Sequence, residues 1–257
     1  MRERAARLLT GPLFIAALLL ALEWTVQAGL IKRSLLPPPS LVWAALVQLI
    51  ASGDFAPPLL ETLMRLAKGF AIGGALAIVL GLLMGSFRAI HDLLEPVVEF
   101  IRPVPKSALI PALILFLGLG EAMKVTSVAL AVFFPVLVNT VQGVRGVDPV
   151  LIDTARTFGV SRARVLALVV LPAALPYIMA GLRVSLGLGL VLATLSEMLA
   201  GTGGIGFVIL DTQRSFRVRQ MYAWIVILAL VGLALNAIFV ALERRLLHWQ
   251  HGIAHDT

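Results

Sequence analysis

"DTARTFGVSRARVLALVVLP", residues 153–172, sets a charged, turn-bearing segment between long apolar runs, and its reading decides how the rest of the chain is arranged. Together with the preceding "GVDPVLI" it describes two helices and a joint. Asp148 is an N-cap residue with Pro149 at the first helical position, and Gly159 supplies a left-handed stop. Ser161 then caps a second helix that runs through apolar residues to Leu171 and Pro172. In the short helix Leu151, Ala155 and Phe158 recur at helical spacing as an apolar edge, while Asp153 and Arg156 stand at i and i+3 on a polar one. Such a helix, tied by a tight turn to a long apolar one, suits a position under a membrane facing a soluble partner; its low basic content disfavours lipid headgroups. The turn also looks like the joint of a helix-turn-helix DNA reader. That motif needs a free recognition helix, and here the second helix disappears into "LALVVLP".

Of the 257 residues 60% are hydrophobic and 14% charged, with a mean hydropathy of +0.98, against about 25% charged in an ordinary soluble domain. The chain is therefore expected to be an all-α integral membrane protein: the apolar runs are long enough to cross as helices and lack the period-two alternation of a barrel. The absence of cysteine excludes disulfides and thiolate metal sites. A net charge of +7 is what arginines holding loops on the cytoplasmic side produce in a membrane protein, so nucleic acid is not an expected partner. The N-terminal "MRERAARLLTGPLFIAALLLALEW" has the basic start and apolar core of a signal peptide. Its apolar run is long, however, and no small-residue cleavage site follows, so it is expected to stay as a first helix.

Six transmembrane helices are expected, at roughly 11–31, 66–86, 93–118, 122–142, 173–199 and 221–243. The third should be kinked or broken, because "RPVPKSALIP" puts Pro103, Pro105 and Pro111 along it. With both termini cytoplasmic, the inside segments hold Arg2, Arg4, Arg7, Arg88, Arg102, Lys106, Arg145, Arg156, Arg162, Arg164, Arg244 and Arg245. The outside holds fewer: Lys32, Arg33, Arg65, Lys68, Lys124, Arg214, Arg217 and Arg219. Between the first two spans, prolines flank a short apolar segment that reads as an external loop with an interfacial helix, or as a re-entrant segment. Small residues recur every fourth position at Gly69, Gly73, Ala77, Gly81 and Gly85, and again at Gly181, Ser185, Gly189 and Ala193, which marks faces for close helix packing.

The spacing of Asp153, Ala155, Gly159, Val169 and Leu171-Pro172 resembles the EAA loop of importer-type ABC transporter permeases: Glu-Ala-Ala, three residues, Gly, nine residues, Ile, one residue, Leu-Pro. The wider resemblance runs from about residue 60 to 247, through "RPVPKSALIPALILFLGLGE", "LPAALPYIMAGLRVSLGLGLVLATLSEMLAG" and "GIGFVILD", and is to the nitrate, sulfonate, taurine and bicarbonate branch. It implies a MetI-like permease fold with a cytoplasmic coupling helix seated on a separate ATPase dimer, which uses ATP and Mg. It also implies a second copy of the chain, a periplasmic solute-binding protein and a bacterial inner-membrane location. Leu151, Asp153, Thr154, Ala155, Arg156, Phe158 and Gly159 would carry the coupling, with Leu171 and Pro172 closing the loop. Asp153 stands for Glu and Thr154 for Ala, which keeps charge and small size. The chain itself has no G-x-x-x-x-G-K-[ST] phosphate loop, so it is expected to bind no cofactor and to be a transport subunit rather than an enzyme. The implied division is an N-terminal helix and external loop (1–58), a permease core (59–247) with its coupling loop (145–165), and a tail (248–257). An ion-coupled transporter working without an ATPase is the alternative.

Glu197 and Arg183 are 14 residues apart in the fifth span, about 21 Å along a helix, so each needs a partner other than the other. With Asn139 they are candidates for a substrate path, an intramembrane charge being a functional hypothesis by default, or else for inter-helix contacts. Arg214, Arg217 and Arg219 break the positive-inside trend and are candidates for docking the binding protein or meeting an anionic solute; a hydrated loop is the plainer reading. "GTGGIG" at 201–206 fits G-x-G-x-x-G but follows no strand, and is expected to be a flexible external turn. His248, His251 and His255 lie close in sequence without a further ligand group, as a solvated tail would. H-E-x-x-H and G-x-S-x-G are both absent.

Overall fold

The structure, a computed structural model, describes residues 2–248, and the side chains of 11 and 13–248 among them. The regular elements in that range are helical. In chain order they are α1 (Arg2–Gln27), α2 (Pro39–Ser52), α3 (Ala56–Ser86), α4 (Arg88–Ile101), α5 (Ile110–Leu117), α6 (Glu121–Arg145), α7 (Pro149–Thr157), α8 (Arg162–Val165), α9 (Leu171–Ala200), α10 (Ile205–Arg214) and α11 (Val218–Leu246). Of the three histidines at the C-terminus, His251 and His255 lie outside the described residues.

Four helices are long and apolar enough to cross a membrane: α3, α6, α11 and the composite Arg162–Ala200, which joins α8 to α9 through a π-helical stretch, Leu166–Val170. The pair Arg88–Ile101 and Lys106–Leu117, bent by 87°, makes a fifth if it counts as one crossing, and Leu13–Gln27 is a shorter apolar helix. The described residues thus give four or five long apolar spans rather than six. The expected start of the second span at 66 is also corrected. Pro57 and Pro58 sit in the first turn of α3, where proline's missing N–H is harmless, so the helix begins a full ten residues earlier and takes Arg65 with it.

The core is a three-helix layer with α6 in contact with both α3 and α9. The small-residue stripes explain why. A Cβ on Gly73 would collide with the backbone of Ala129, and one on Gly69, Gly81 or Gly85 would fall 2.5–2.6 Å from Val128, Thr140 or Val144. From the other side Gly181 lies against Pro135, Val136 and Asn139, and the Ser185 hydroxyl donates to the Val132 carbonyl at 3.2 Å or to Gly181 at 2.8 Å. Between lipid-facing helices this close backbone approach replaces the hydrophobic drive available in water. Leu66, Val128, Val132, Val136, Leu137 and Leu190 fill the gaps left around the small residues. Around this layer, α10 and α11 pack with α2 through Leu46, Ile205, Ile209 and Trp224, and α1 is tethered by Glu23, which accepts from the Ser40 amide (3.0 Å) and hydroxyl (2.8 Å).

The break between α4 and α5 has a local cause. Pro105 has no N–H for the Ile101 carbonyl at the end of α4, and the Lys106 ammonium donates there instead (2.8 Å), reaching also the carbonyls of Val104 (2.9 Å) and Arg102 (3.3 Å) in the break itself. Pro172 has a similar effect farther on. Without an N–H to continue the α register, the preceding turn widens, and the Leu171 amide reaches back five residues to the Leu166 carbonyl.

Candidate functional site

At the end of the bundle that the charge bias assigns to the cytoplasm, α7 is held as a separate short helix. Asp148 accepts from the Val150 amide at 2.8 Å and Pro149 follows it, while Gly159 closes the helix at φ +74° with its amide on the Arg156 carbonyl. The expected cap position of Ser161 is occupied without a side-chain hydrogen bond. The apolar edge inferred from spacing divides in two. Ala155, with Ile152 and Val160, packs against Val144, Val147, Val165 and Val170, whereas Leu151 (52% exposed) and Phe158 (81% exposed) point away from the chain. Asp153 pairs with Arg156 at 3.3 Å on the exposed side, and the Thr154 hydroxyl turns back to the Val150 carbonyl. Leu171 and Pro172 open α9.

The opposite end holds an ionic cluster that sequence reasoning did not assemble. Glu197 is fully buried, with Arg65 the guanidinium that meets it: Nη1 to Oε1 is 2.8 Å. Every Arg65 donor has a destination, since Nε and Nη2 also engage Glu121 at 2.7–3.1 Å, Nη2 reaches Glu61 at 3.0 Å and Nη1 the Gly203 carbonyl at 3.2 Å. Glu197 also accepts from the Gly206 amide at 3.0 Å and the Thr62 hydroxyl at 2.9 Å, and Thr62 in turn accepts from the Ile205 amide. Lys124, equally buried, donates to the carbonyl and hydroxyl of Thr202 at 2.6 Å each. The "GTGGIG" segment is consequently not a loose turn but a collar around this carboxylate. Gly201, Gly203 and Gly204 have positive φ, and a Cβ on Gly204 would overlap the Glu197 carboxyl. Arg65 and Lys124, assigned above to external loops, are internal ties among α3, α6 and α9.

Asn139, Arg183 and Glu197 are not brought together. Arg183 faces Glu243 of α11 at 3.7 Å, half exposed, a contact worth little by itself. Asn139, its amide on the Pro135 carbonyl at 2.8 Å, borders an open cavity of about 300 Å³ with Arg102, Lys106, Phe134 and Leu188. Lys106 therefore belongs beside α6 and not in a cytoplasmic loop: its ammonium sits 4.1 Å from the centre of the Phe134 ring. On the outer surface Arg217 and Arg219 join Arg33 in lining a cleft of about 720 Å³, Arg217 paired to Asp211 at 2.7 Å, while Arg214 stands exposed on the last turn of α10 away from that cleft. Among the described residues no group of three or more His, Asp or Glu side chains is placed to hold a metal ion.

Comparison with known proteins bears on what these two ends are for. Residues 77–248 match the family described as "Binding-protein-dependent transport system inner membrane component". A protein of Bacillus subtilis (strain 168) named for aliphatic sulfonates transport is 34% identical over 93% of this chain and 87% of its own length. The taurine transport system permease protein of Escherichia coli (strain K12) is 34% identical over 92% and 88%, and the bicarbonate transport system permease protein of Synechococcus elongatus is 31% identical over 73% and 68%. In fold, the chain is similar to the MetNI methionine ABC transporter in an inward-facing conformation, with a TM-score of 0.63 and 16% identity over 72% of this chain and 93% of the other. An amino acid ABC transporter crystallised with histidines gives 0.61, with 20% identity over 77% and 94%. ATP and Mg are handled in such a system by the separate ATPase subunit, and this chain is not an enzyme. The chain belongs to the family of binding-protein-dependent transport system inner membrane components: it is the multi-pass inner-membrane permease subunit of an ABC-type importer, partnered by an ATPase and a solute-binding protein.

Proposed function

We propose that this permease imports a small anion or zwitterion of the sulfonate, taurine, nitrate or bicarbonate kind, and that α7 is the helix through which the ATPase drives it. The observation that carries the second statement is the division of α7 into an anchored and a bare side. Ile152, Ala155 and Val160 fasten the helix to its own span, which leaves Leu151 and Phe158 exposed beside the Asp153–Arg156 pair. Thr154 and Gly159 serve the helix's shape, and Leu171-Pro172 joins it to the crossing helix. Sulfonate, taurine and bicarbonate rest on the names of the relatives, nitrate on the resemblance noted in the sequence, and the basic cavity beside Asn139 suits each of them. Along that path Arg183 and Glu197 contribute through the helix they share, α9, rather than by touching the solute.

Six crossings accord with this function, α1 and the bent α4–α5 pair each counting as one, so that both termini lie in the cytoplasm. On that reading 1–58 is an accessory helix and loop, 59–247 the permease core with its coupling loop at 145–165, and 248–257 a cytoplasmic tail.

The coupling role is tested by the double variant Leu151→Ala/Phe158→Ala. Both side chains are largely solvent-exposed in the isolated chain, so the thermal stability of the purified permease should change by less than about 0.5 kcal/mol. Co-purification of the ATPase subunit should fall at least about tenfold, as expected when apolar anchors at the centre of an interface are truncated. Full retention of the ATPase would remove α7 from the interface. The outer arginines are proposed to receive the binding protein. Changing Arg214, Arg217 and Arg219 together to glutamine should raise the concentration of binding protein needed for half-maximal uptake by about threefold to tenfold at low salt, and by less at high salt. Unaltered, salt-independent kinetics would return these residues to an ordinary hydrated loop.

A further inference from the structure

Lys106 stands where a charged side chain is least expected. It lies over Phe134, which is 13 residues from the outer end of α6 and 11 from the inner end, hence about 20 Å and about 17 Å along the helix. That is the middle of a crossing. The residue is half-buried, and its ammonium donates to the carbonyls of Ile101, Arg102 and Val104. Those carbonyls are neutral, and among the described residues no carboxylate lies within 4 Å of it. Arg102, on the same cavity wall, has Glu99 at 3.1 Å. Arg65, Lys124 and Arg183 also have carboxylates within 4 Å. Lys106 thus carries a positive charge without a carboxylate partner among the described residues, at membrane depth, at the elbow of a span broken by 87°, facing a cavity of about 300 Å³ that also presents the Asn139 side chain and an aromatic ring. An ionisable group facing a cavity at this depth marks a substrate or ion pathway by default, and irregular backbone at this depth is tolerated where it lines a cavity.

Resting on the anion reading above, we propose that Lys106 is the specificity-determining residue of the translocation path. The passing anion is its transient counter-charge, held between the Lys106 ammonium and Asn139 on the way from the outer end to the cytoplasm. The carbonyls that engage the ammonium fix its position, so that the field at the cavity is set by the elbow itself. The same arrangement disfavours cations, which meet a fixed positive charge at the cavity. A staple that merely caps α4 would need the hydrogen bonds of Lys106 but not its charge.

The test uses the permease with its ATPase and binding protein in proteoliposomes, with methanesulfonate, taurine, nitrate and bicarbonate as probes. Uptake is measured per ATP hydrolysed. Lys106→Gln, which keeps donors for the carbonyls but removes the charge, should lower anion uptake per ATP about tenfold or more, the size of one charge-assisted contact. Lys106→Arg should restore most of it. Should Lys106→Gln fail to assemble, Asn139→Asp asks the same question by placing a permanent counter-charge in the cavity, and it should lower anion uptake per ATP at least as much. Unchanged uptake per ATP in an assembled Lys106→Gln or Asn139→Asp complex overturns the proposal and leaves Lys106 as a helix cap. Failure of the unaltered transporter to move any of the four solutes is a different result, seen before any substitution is made. It overturns the anion reading and this inference with it.

Discussion

Replacing Arg65 by methionine is expected to lower the stability of the permease by about 3–5 kcal/mol, the range found when one partner of a buried ion pair is removed. The geometry explains why the loss should be large. Glu197 is fully buried and would keep only the Thr62 hydroxyl and the Gly206 amide as donors, while Glu61 and Glu121 at the rim would lose the cation that brings them together. Lysine should not rescue, because a point charge cannot serve three carboxylates and the Gly203 carbonyl from one fork. The double variant Arg65→Met/Glu197→Leu should recover part of the loss, since it removes the stranded charge. Reversible unfolding of the purified permease in mixed micelles measures all four proteins. A loss below about 1 kcal/mol for Arg65→Met would show that the cluster is hydrated and replaceable.

Gly73→Val should be at least as damaging, by a different route. At this position the backbone of α6 stands where the new side chain must go, and Ala129 cannot rotate aside as a flexible side chain could. Overpacking that side chains relieve costs about 1–3 kcal/mol; here α3 and α6 must separate, and the Leu66, Val128 and Val132 contacts along the seam open with them. The expected outcome is loss of the monodisperse folded protein on gel filtration in mild detergent. Gly187→Val is the matched control, because a Cβ there meets nothing within 4 Å, and it should elute as the unaltered chain does. Equal behaviour of the two would mean that the small-residue stripe does not set the helix spacing.

Much of the architecture was legible because it is written in local chemistry. The cap at Asp148, the stop at Gly159, the proline break at 102–111 and the two small-residue stripes each follow from a short stretch of chain, and each stands in the structure where the sequence put it. What could not be read was long-range pairing. Glu197 needed a partner, but nothing in its own helix points to Arg65, 132 positions away. One signal was available: Pro57 and Pro58 mark a helix start, and placing the second span there would have moved Arg65 from a loop into a helix beside Glu61, its i,i+4 neighbour. Lys106 reads as a loop charge for a related reason. A charge among prolines looks like a connection, whereas here Pro105 frees the Ile101 carbonyl that helps to hold it at mid-depth. In "GTGGIG" the freedom of glycine looks like mobility in the sequence, but in the fold it serves to bring backbone against a carboxylate.

The composite helix Arg162–Ala200 joins the two ends of the molecule in one piece. Its 39 residues span about 58 Å, and its close seat against α6 runs from Tyr177 through Gly181 to Ser185, centred on the midpoint. A rod resting there is a seesaw with two arms of about 29 Å. A tilt of about 5° carries the inner tip by about 2.5 Å and the outer tip as far in the opposite sense. The π-helical stretch at Leu166–Val170 sits near the inner tip, where a slightly widened turn takes up misalignment without absorbing the stroke. Reversal of direction across a fixed fulcrum is what alternate opening of a path requires: one rigid part, pushed at one end, closes that end while it frees the other.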